Sequence, residues 1–287
     1  MRPEFLKAPS LITLLLFFSL SIFSQGLKPS MTGYAPVNGL QMYYEIYGEG
    51  KPLVLIHGAF NSINVFNGVI PGLAKNHKLI AVEMQGHGRT ADIDRPFSFE
   101  AMADDVASLL TYLKIDSADV FGYSMGGGIA QQLAIRHPAR VKKLVLASCP
   151  YKFEGWFPET RAIFPTVTPE AFASTPMKAE YDRLAPDPSH WSVFINKMVQ
   201  FISKNYDFTA AKFKAIKSPK LIIIGDSDGV MPEHAIEMFH LTGGGGMGDL
   251  SGLTDSQLAI IPATTHVGLM MQTDYLLMMI PKFLDGK

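Results

Sequence analysis

The sequence predicts a doubly wound α/β fold, a mostly parallel sheet with a helical cap inserted between two late strands. Three observations carry that expectation. Short apolar runs such as PLVLIHG (52–58), VKKLVLAS (141–148) and KLIIIGD (220–226) are continuous in Val, Ile and Leu, which implies strands buried on both faces. The stretches between them repeat their apolar residues at helical spacing. One connection, residues 149 to 218, is far longer than a single crossover helix needs.

Taken in chain order, Arg2 and Lys7 precede the apolar run LITLLLFFSLSIF (11–23), and Ser24-Gln25 follows as a cleavage site. This run is shorter than the roughly 20 residues of a membrane-spanning helix. Residues 1–24 are therefore expected to be a secretory signal, and the mature protein to be exported to the periplasm or beyond without stable membrane insertion. MYYEIY (42–47) reads as an early strand, followed by strands at 52–58 and 78–84. Phe99 to Leu113 reads as a helix through Met102, Val106, Leu109, Leu110 and Leu113. A strand at 118–124 leads into a helix from Met125 to His137 that Pro138 stops. After the strand at 141–148 comes the insertion, so that residues 25–149 and 219–287 form the core and 150–218 the cap. Both tryptophans, Trp156 and Trp191, lie in the cap, and a helix starting near Ser189 places Trp191, Phe194, Ile195, Met198, Val199 and Ile202 on one stripe. Strands at 220–226 and 257–263 and a helix from Tyr275 to Leu284 complete the core. The run GGGGMG (243–248) lacks the Lys-Ser/Thr ending of a phosphate loop and reads as a surface loop.

Composition narrows the function. With 25 Lys+Arg against 26 Asp+Glu, the chain has no long-range attraction for phosphate backbones, so no nucleic-acid partner is expected. A hydrophobic content of 47% excludes a disordered chain. A single cysteine, Cys149, leaves no pair for a disulfide or a cysteine metal site, and no His and carboxylate spacing suits a metal; no metal and no cofactor is expected. The oligomeric state is not legible.

The strongest chemical signal is Gly122-Tyr123-Ser124-Met125-Gly126 between a strand and a helix. A sharp strand-to-helix turn lifts the Ser124 hydroxyl out of the sheet, and the free N–H groups of the following helix point toward it. The plainer reading is a helix-capping serine. A serine hydroxyl is a weak nucleophile without a base. Of eight histidines only His266, in IPATTHVGL, follows the last strand on the carboxyl edge of the sheet where Ser124 emerges. The base in turn needs an acidic acceptor. The strand at 220–226 ends in Gly225-Asp226-Ser227-Asp228, so both acids are candidates; Asp228 lies farther into the loop and can turn toward His266, whereas Asp226 suits a turn-tying role.

With Ser, Asp and His in that chain order, the sequence resembles the α/β-hydrolase superfamily over nearly all of residues 35–285. The resemblance rests on His57-Gly58-Ala59-Phe60, Gly86-His87-Gly88-Arg89, the Ser124 pentapeptide, Gly225 to Asp228 and the His266 loop. It implies an oxyanion hole from the backbone N–H groups of Ala59 and Met125. The family turn Asp-x-Arg-Gly-x-Gly departs here, with Glu83 and Gln85 in place of its Asp and Arg. The resemblance also implies a serine hydrolase of small-molecule esters or lactones with an apolar body, since relatives that open epoxides or remove halide use Asp where this chain has Ser124. The chain is similar as well to serine-dependent macrolide esterases. Phe60, Trp156 and Trp191 are the expected substrate contacts. Three other readings stand beside this one: an aminopeptidase, with Glu154, Glu159, Glu170, Glu180 or Asp182 holding the substrate ammonium; a carbon-carbon bond hydrolase; and a non-catalytic ligand receptor of the same fold.

Overall fold

A computed structural model describes residues 27–286; the expected signal segment, residues 1–24, lies outside them. The chain opens with β1 (Met31–Val37) and β2 (Leu40–Tyr47), joined by Asn38-Gly39. Both residues of this two-residue turn have positive φ, 47° and 86°, the backbone twist that a tight hairpin needs and that Asn-Gly tolerates. The sequence reading assigned only the second of these strands. Gly33 and Pro36 weaken the strand signal of β1, yet its pairing with β2 runs from Met31↔Ile46 to Val37↔Leu40.

There follow β3 (Lys51–Ile56), α1 (Ile70–Leu73), β4 (His77–Val82), α2 (Phe99–Tyr112), β5 (Ala118–Tyr123), α3 (Met125–Arg136) and β6 (Val141–Ala147). Ser98 caps α2 by accepting from the Ala101 N–H, and its buried face carries Met102, Val106, Leu109 and Leu110. After the insertion come β7 (Lys220–Ser227), α8 (Pro232–Leu241), α9 (Gly248–Ser251), β8 (Gln257–Thr265) and α10 (Thr273–Asp285). The run 243–248 forms the connection between α8 and α9 and is mostly exposed.

The eight strands form one sheet in the order β1-β2-β4-β3-β5-β6-β7-β8, parallel from β4 to β8. β5 is buried along its whole length, as a central strand covered on both faces must be. One apolar cluster, which includes Met102, Ile129 and Phe194, covers one face; a second, with Phe66, Leu276 and Phe283, covers the other. Among the described residues no helix is long and apolar enough to cross a membrane.

The insertion between β6 and β7 contains α4 (Pro158–Ile163), α5 (Pro176–Leu184), α6 (Trp191–Ile202) and α7 (Ala210–Ala215). α6 buries Trp191, Phe194, Ile195, Met198 and Phe201. α7 packs instead on α3 and α8, with Phe213 fully buried and stacked on Tyr151 at 5.4 Å. The roof over the carboxyl edge thus ends before α7, and the last turn of the insertion belongs to the core layer.

Candidate active site

Ser124 sits between β5 and α3 at φ 54° and ψ −117°, a left-handed conformation costly for a residue with a side chain. The flanking glycines make the turn possible. A Cβ on Gly122 would lie 2.2 Å from the Gly126 carbonyl oxygen, and one on Gly126 would lie 2.0 Å from that of Ile56. The pentapeptide is therefore a packing requirement: β5, α3 and β3 approach too closely for any side chain at either position. The Ser124 N–H donates to the Ala147 carbonyl at 2.8 Å, which ties the turn to β6.

His266 follows β8, and its Nε2 lies 3.0 Å from Ser124 Oγ while its Nδ1 lies 2.8 Å from Asp228 Oδ1. Because Nδ1 faces a carboxylate, the proton of a neutral ring belongs there, leaving Nε2 to accept from the Ser124 hydroxyl. Two aromatic groups hold the ring: Tyr123 stacks at 5.5 Å and donates its hydroxyl to the His266 carbonyl at 3.0 Å, and Trp156 meets it edge-on at 5.3 Å.

Asp228 is buried and fully coordinated. Oδ1 also accepts from the Val230 N–H at 3.1 Å, and Oδ2 accepts from Ser148 Oγ and, at 3.3 Å, from the Gly225 N–H. Burial by itself pushes this carboxyl upward, but the hydrogen bond and charge of His266, with the donors Ser148 and Val230, outweigh it and hold the acid below its usual range. The neighbouring Asp226 turns away: it is exposed and accepts from the N–H groups of Ala263 and Thr264 at 2.9 and 3.1 Å, tying β7 to β8. Ser148, which no sequence motif marks, follows β6 on the same edge of the sheet at φ 50°.

The N–H groups of Ala59 and Met125 flank Ser124, and among the described residues neither donates to a protein acceptor. The N–H of Phe60 is occupied, donating to His87 Nε2 at 3.3 Å. Glu83 and Gln85 build their own network. Glu83 accepts from the backbone N–H of Arg89 and, at 2.8 Å, from its guanidinium, and Gln85 accepts from Arg95 at 2.6 Å. Burial pushes the Glu83 carboxyl up to about 7.

Ser124 and His266 open into a cavity of about 670 Å³. Phe60, Phe99, Trp156, Phe164, Phe201 and Tyr206 form much of its wall, with Asn61, Asn64, Thr160 and Thr273 as polar points. Among the described residues no Asp, Glu, Lys or Arg lines it. Phe60 and Trp156 thus stand where substrate contacts were expected, but Trp191 does not. It points into the insertion, where it packs against Phe172, Tyr181 and Phe194 and donates Nε1–H to the Pro169 carbonyl at 3.3 Å. The stripe on α6 is wide enough that its two ends face different neighbours: Phe201 and Ile202 reach the cavity while Trp191 fills the interior of the roof. Among the described residues no group of three His, Cys, Asp or Glu could hold a metal ion.

The family model described as the alpha/beta hydrolase fold matches residues 51–209. A 2-hydroxymuconate semialdehyde hydrolase of Pseudomonas sp. is 41% identical over 103 residues, 34% of this chain and 36% of that protein. The chain spans 35% to 44% of the length of several such curated relatives, and 79% of an AB hydrolase superfamily protein of Bacillus subtilis at 27% identity. Among solved structures, a meta-cleavage product hydrolase from Pseudomonas fluorescens is similar with a TM-score of 0.68 at 21% identity, covering 90% of this chain and 98% of that one. An enol-lactonase from Burkholderia xenovorans matches with a TM-score of 0.66 at 22% identity, covering 88% and 99%. At such identities the likeness is one of fold.

Proposed function

The chain belongs to the alpha/beta hydrolase fold family, and from that premise we propose that it is a serine hydrolase of uncharged carboxylic esters or lactones. Ser124 attacks the carbonyl as His266 Nε2 takes its proton. Asp228 holds the ring and stabilises the imidazolium that forms. The oxyanion of the tetrahedral intermediate is received by the N–H groups of Ala59 and Met125, each such donor contributing roughly 3 to 4 kcal/mol. His266 then protonates the leaving alkoxide, and water activated by the same ring releases the acid from the Ser124 acyl-enzyme. With export through the segment at residues 1–24, the reaction belongs outside the cytoplasm.

The observation that carries this reading is the hydrogen-bonded line from Asp228 through His266 to Ser124, ending in a cavity to whose wall the described residues bring no Asp, Glu, Lys or Arg. That wall supports an ester or lactone over the alternatives. An aminopeptidase needs a carboxylate for the substrate ammonium, and none of Glu154, Glu159, Glu170, Glu180 and Asp182 lines the cavity; Glu180 is bound by Ser62 and Asn64, and Asp182 by Lys178. A carbon-carbon bond hydrolase acting on a muconate-type acid would have to bury a carboxylate against a wall to which the described residues bring no Lys or Arg, a costly desolvation without a cation. A volume of this size admits a drug-sized ring, so a macrocyclic lactone is one member of the proposed class.

The test is hydrolysis of neutral acyl esters, simple lactones, macrocyclic lactones, aminoacyl amides and dicarboxylic substrates by the wild type and by Ser124→Ala. Neutral esters or lactones should turn over, with loss of several orders of magnitude in the folded variant. Turnover confined to charged substrates, or retained by Ser124→Ala, overturns the proposal.

A further inference from the structure

The loop that carries Ala59 is held at several points on both sides. On the core side, Phe60 stands at φ 62° and its N–H reaches His87 Nε2 at 3.3 Å. His87 is buried and donates from Nδ1 to the Gln85 carbonyl at 2.9 Å, which leaves Nε2 free to accept. Its ring is wedged between His57 at 4.9 Å and Phe194 of α6 at 4.8 Å. Within the loop, Asn61 Nδ2 donates to the Ala59 carbonyl at 2.8 Å. On the insertion side, Glu180 of α5 accepts from Ser62 Oγ and, at 3.3 Å, from Asn64 Nδ2, while Phe172 lies over the Phe60 ring at 5.2 Å.

A phenylalanine in the left-handed region is held there against an intrinsic backbone cost. Without the acceptor at His87, the Ala59–Phe60 peptide can relax toward ordinary φ, and the preceding Gly58–Ala59 peptide, which carries the Ala59 N–H, loses its anchor on the C-terminal side. We propose that His87 and Glu180 are positioning residues that clamp the Ala59–Asn64 loop from the core and from the insertion, linking the seating of the roof to stabilisation of the oxyanion. Neither touches the reacting atoms, and the role rests on the hydrolase reading given above. Burial holds the His87 ring far toward the neutral form, at about 3, so the acceptor persists at any ordinary pH.

The experiment compares His87→Leu, His87→Gln, Glu180→Ala and Glu180→Gln with the wild type, using an activated neutral ester and an alkyl boronic acid that forms a tetrahedral adduct on serine. His87→Leu should lower kcat roughly a hundredfold, in the range for loss of an oxyanion donor, with KM changed less than threefold and boronate affinity falling in parallel with kcat. Glu180→Ala should lower kcat about tenfold in the same pattern. The two amide variants keep an acceptor oxygen and should recover most of the loss. Folded His87→Leu and Glu180→Ala with kcat and boronate affinity within threefold of wild type overturn the clamp, as does a fall in melting temperature alone. Should His87→Leu fail to fold, Glu180→Ala and its amide rescue decide the matter by the same criteria. A wild type that neither hydrolyses esters nor binds the boronate overturns the hydrolase reading itself, and the clamp with it.

Discussion

Replacing either tryptophan by alanine separates two roles that look alike in composition. Trp191 is only 6% exposed, and its ring is enclosed by Phe172, Tyr181 and Phe194 with the Lys178 ammonium 5.6 Å above it. Truncation leaves a void inside the roof and an unpaired Pro169 carbonyl, for a cost of roughly 3 to 5 kcal/mol. In a domain of this size that is about 10 °C in melting temperature. Because no atom of Trp191 lines the cavity, the KM ratio between a bulky ester and an acetate ester should stay within threefold. Trp156 does line the cavity, beside His266. Its truncation should raise KM for the bulky ester about tenfold or more relative to acetate, since an apolar side chain buried against ligand contributes roughly 1.5 to 3 kcal/mol. The assay is thermal unfolding of each variant with Michaelis analysis on both esters below the melting range. A Trp191→Ala protein with unchanged melting temperature and selective loss on the bulky ester would refute the packing argument.

Ser148→Ala removes one donor from the buried Asp228 carboxylate while Val230 and Gly225 remain. A hydrogen bond to a charged group contributes about 1.5 to 3 kcal/mol, so kcat should fall roughly tenfold to a hundredfold and the Asp228 carboxyl should titrate higher, read from kcat and from the pH–rate profile. Gly126→Ala should fail to accumulate as folded protein or lose all activity, because its Cβ meets the Ile56 carbonyl at 2.0 Å; circular dichroism and turnover check it. Burial holds His57 and His87 down to about 4 and about 3. Their folded values lie below the unfolded value near 6.5, so the stability they allow is complete above that pH and is lost as pH falls, on the order of 3 kcal/mol per ring by pH 4. Urea titrations at pH 7, 5 and 4 should show that decline, and a shallower one for His87→Gln.

The core strands from β2 onward along the chain and the carboxyl-edge positions of Ser124, Asp228 and His266 were legible because each of the three follows an apolar run, and in a parallel sheet all such ends share one edge. That Asp228 rather than Asp226 faces His266 follows from position along the strand: Asp226 still lies within β7 and ties it to β8, whereas Asp228 is the first residue beyond Ser227 and turns inward. β1 was not legible, since its Gly33 and Pro36 obscure a strand that hairpin pairing stabilises. Ser148 and Glu180 carry no local pattern; each meets its partner only through tertiary packing, across 80 and 118 residues of chain. The orientation of Trp156 and Trp191 was hidden for the same reason. Both sit in one aromatic-rich insertion, and only the crossing of α6 over the core decides which ring faces the cavity.

The central claim is that Ser124 is an activated nucleophile. It is tested most directly by incubating the protein with a fluorophosphonate or a slowly deacylating neutral ester and locating the covalent mass by peptide sequencing. A single stoichiometric adduct on the peptide containing Ser124, absent from Ser124→Ala and formed far more slowly in His266→Ala, is the predicted result. An unmodified Ser124 in a protein that still hydrolyses esters, or an adduct formed at full rate without His266, would contradict the account.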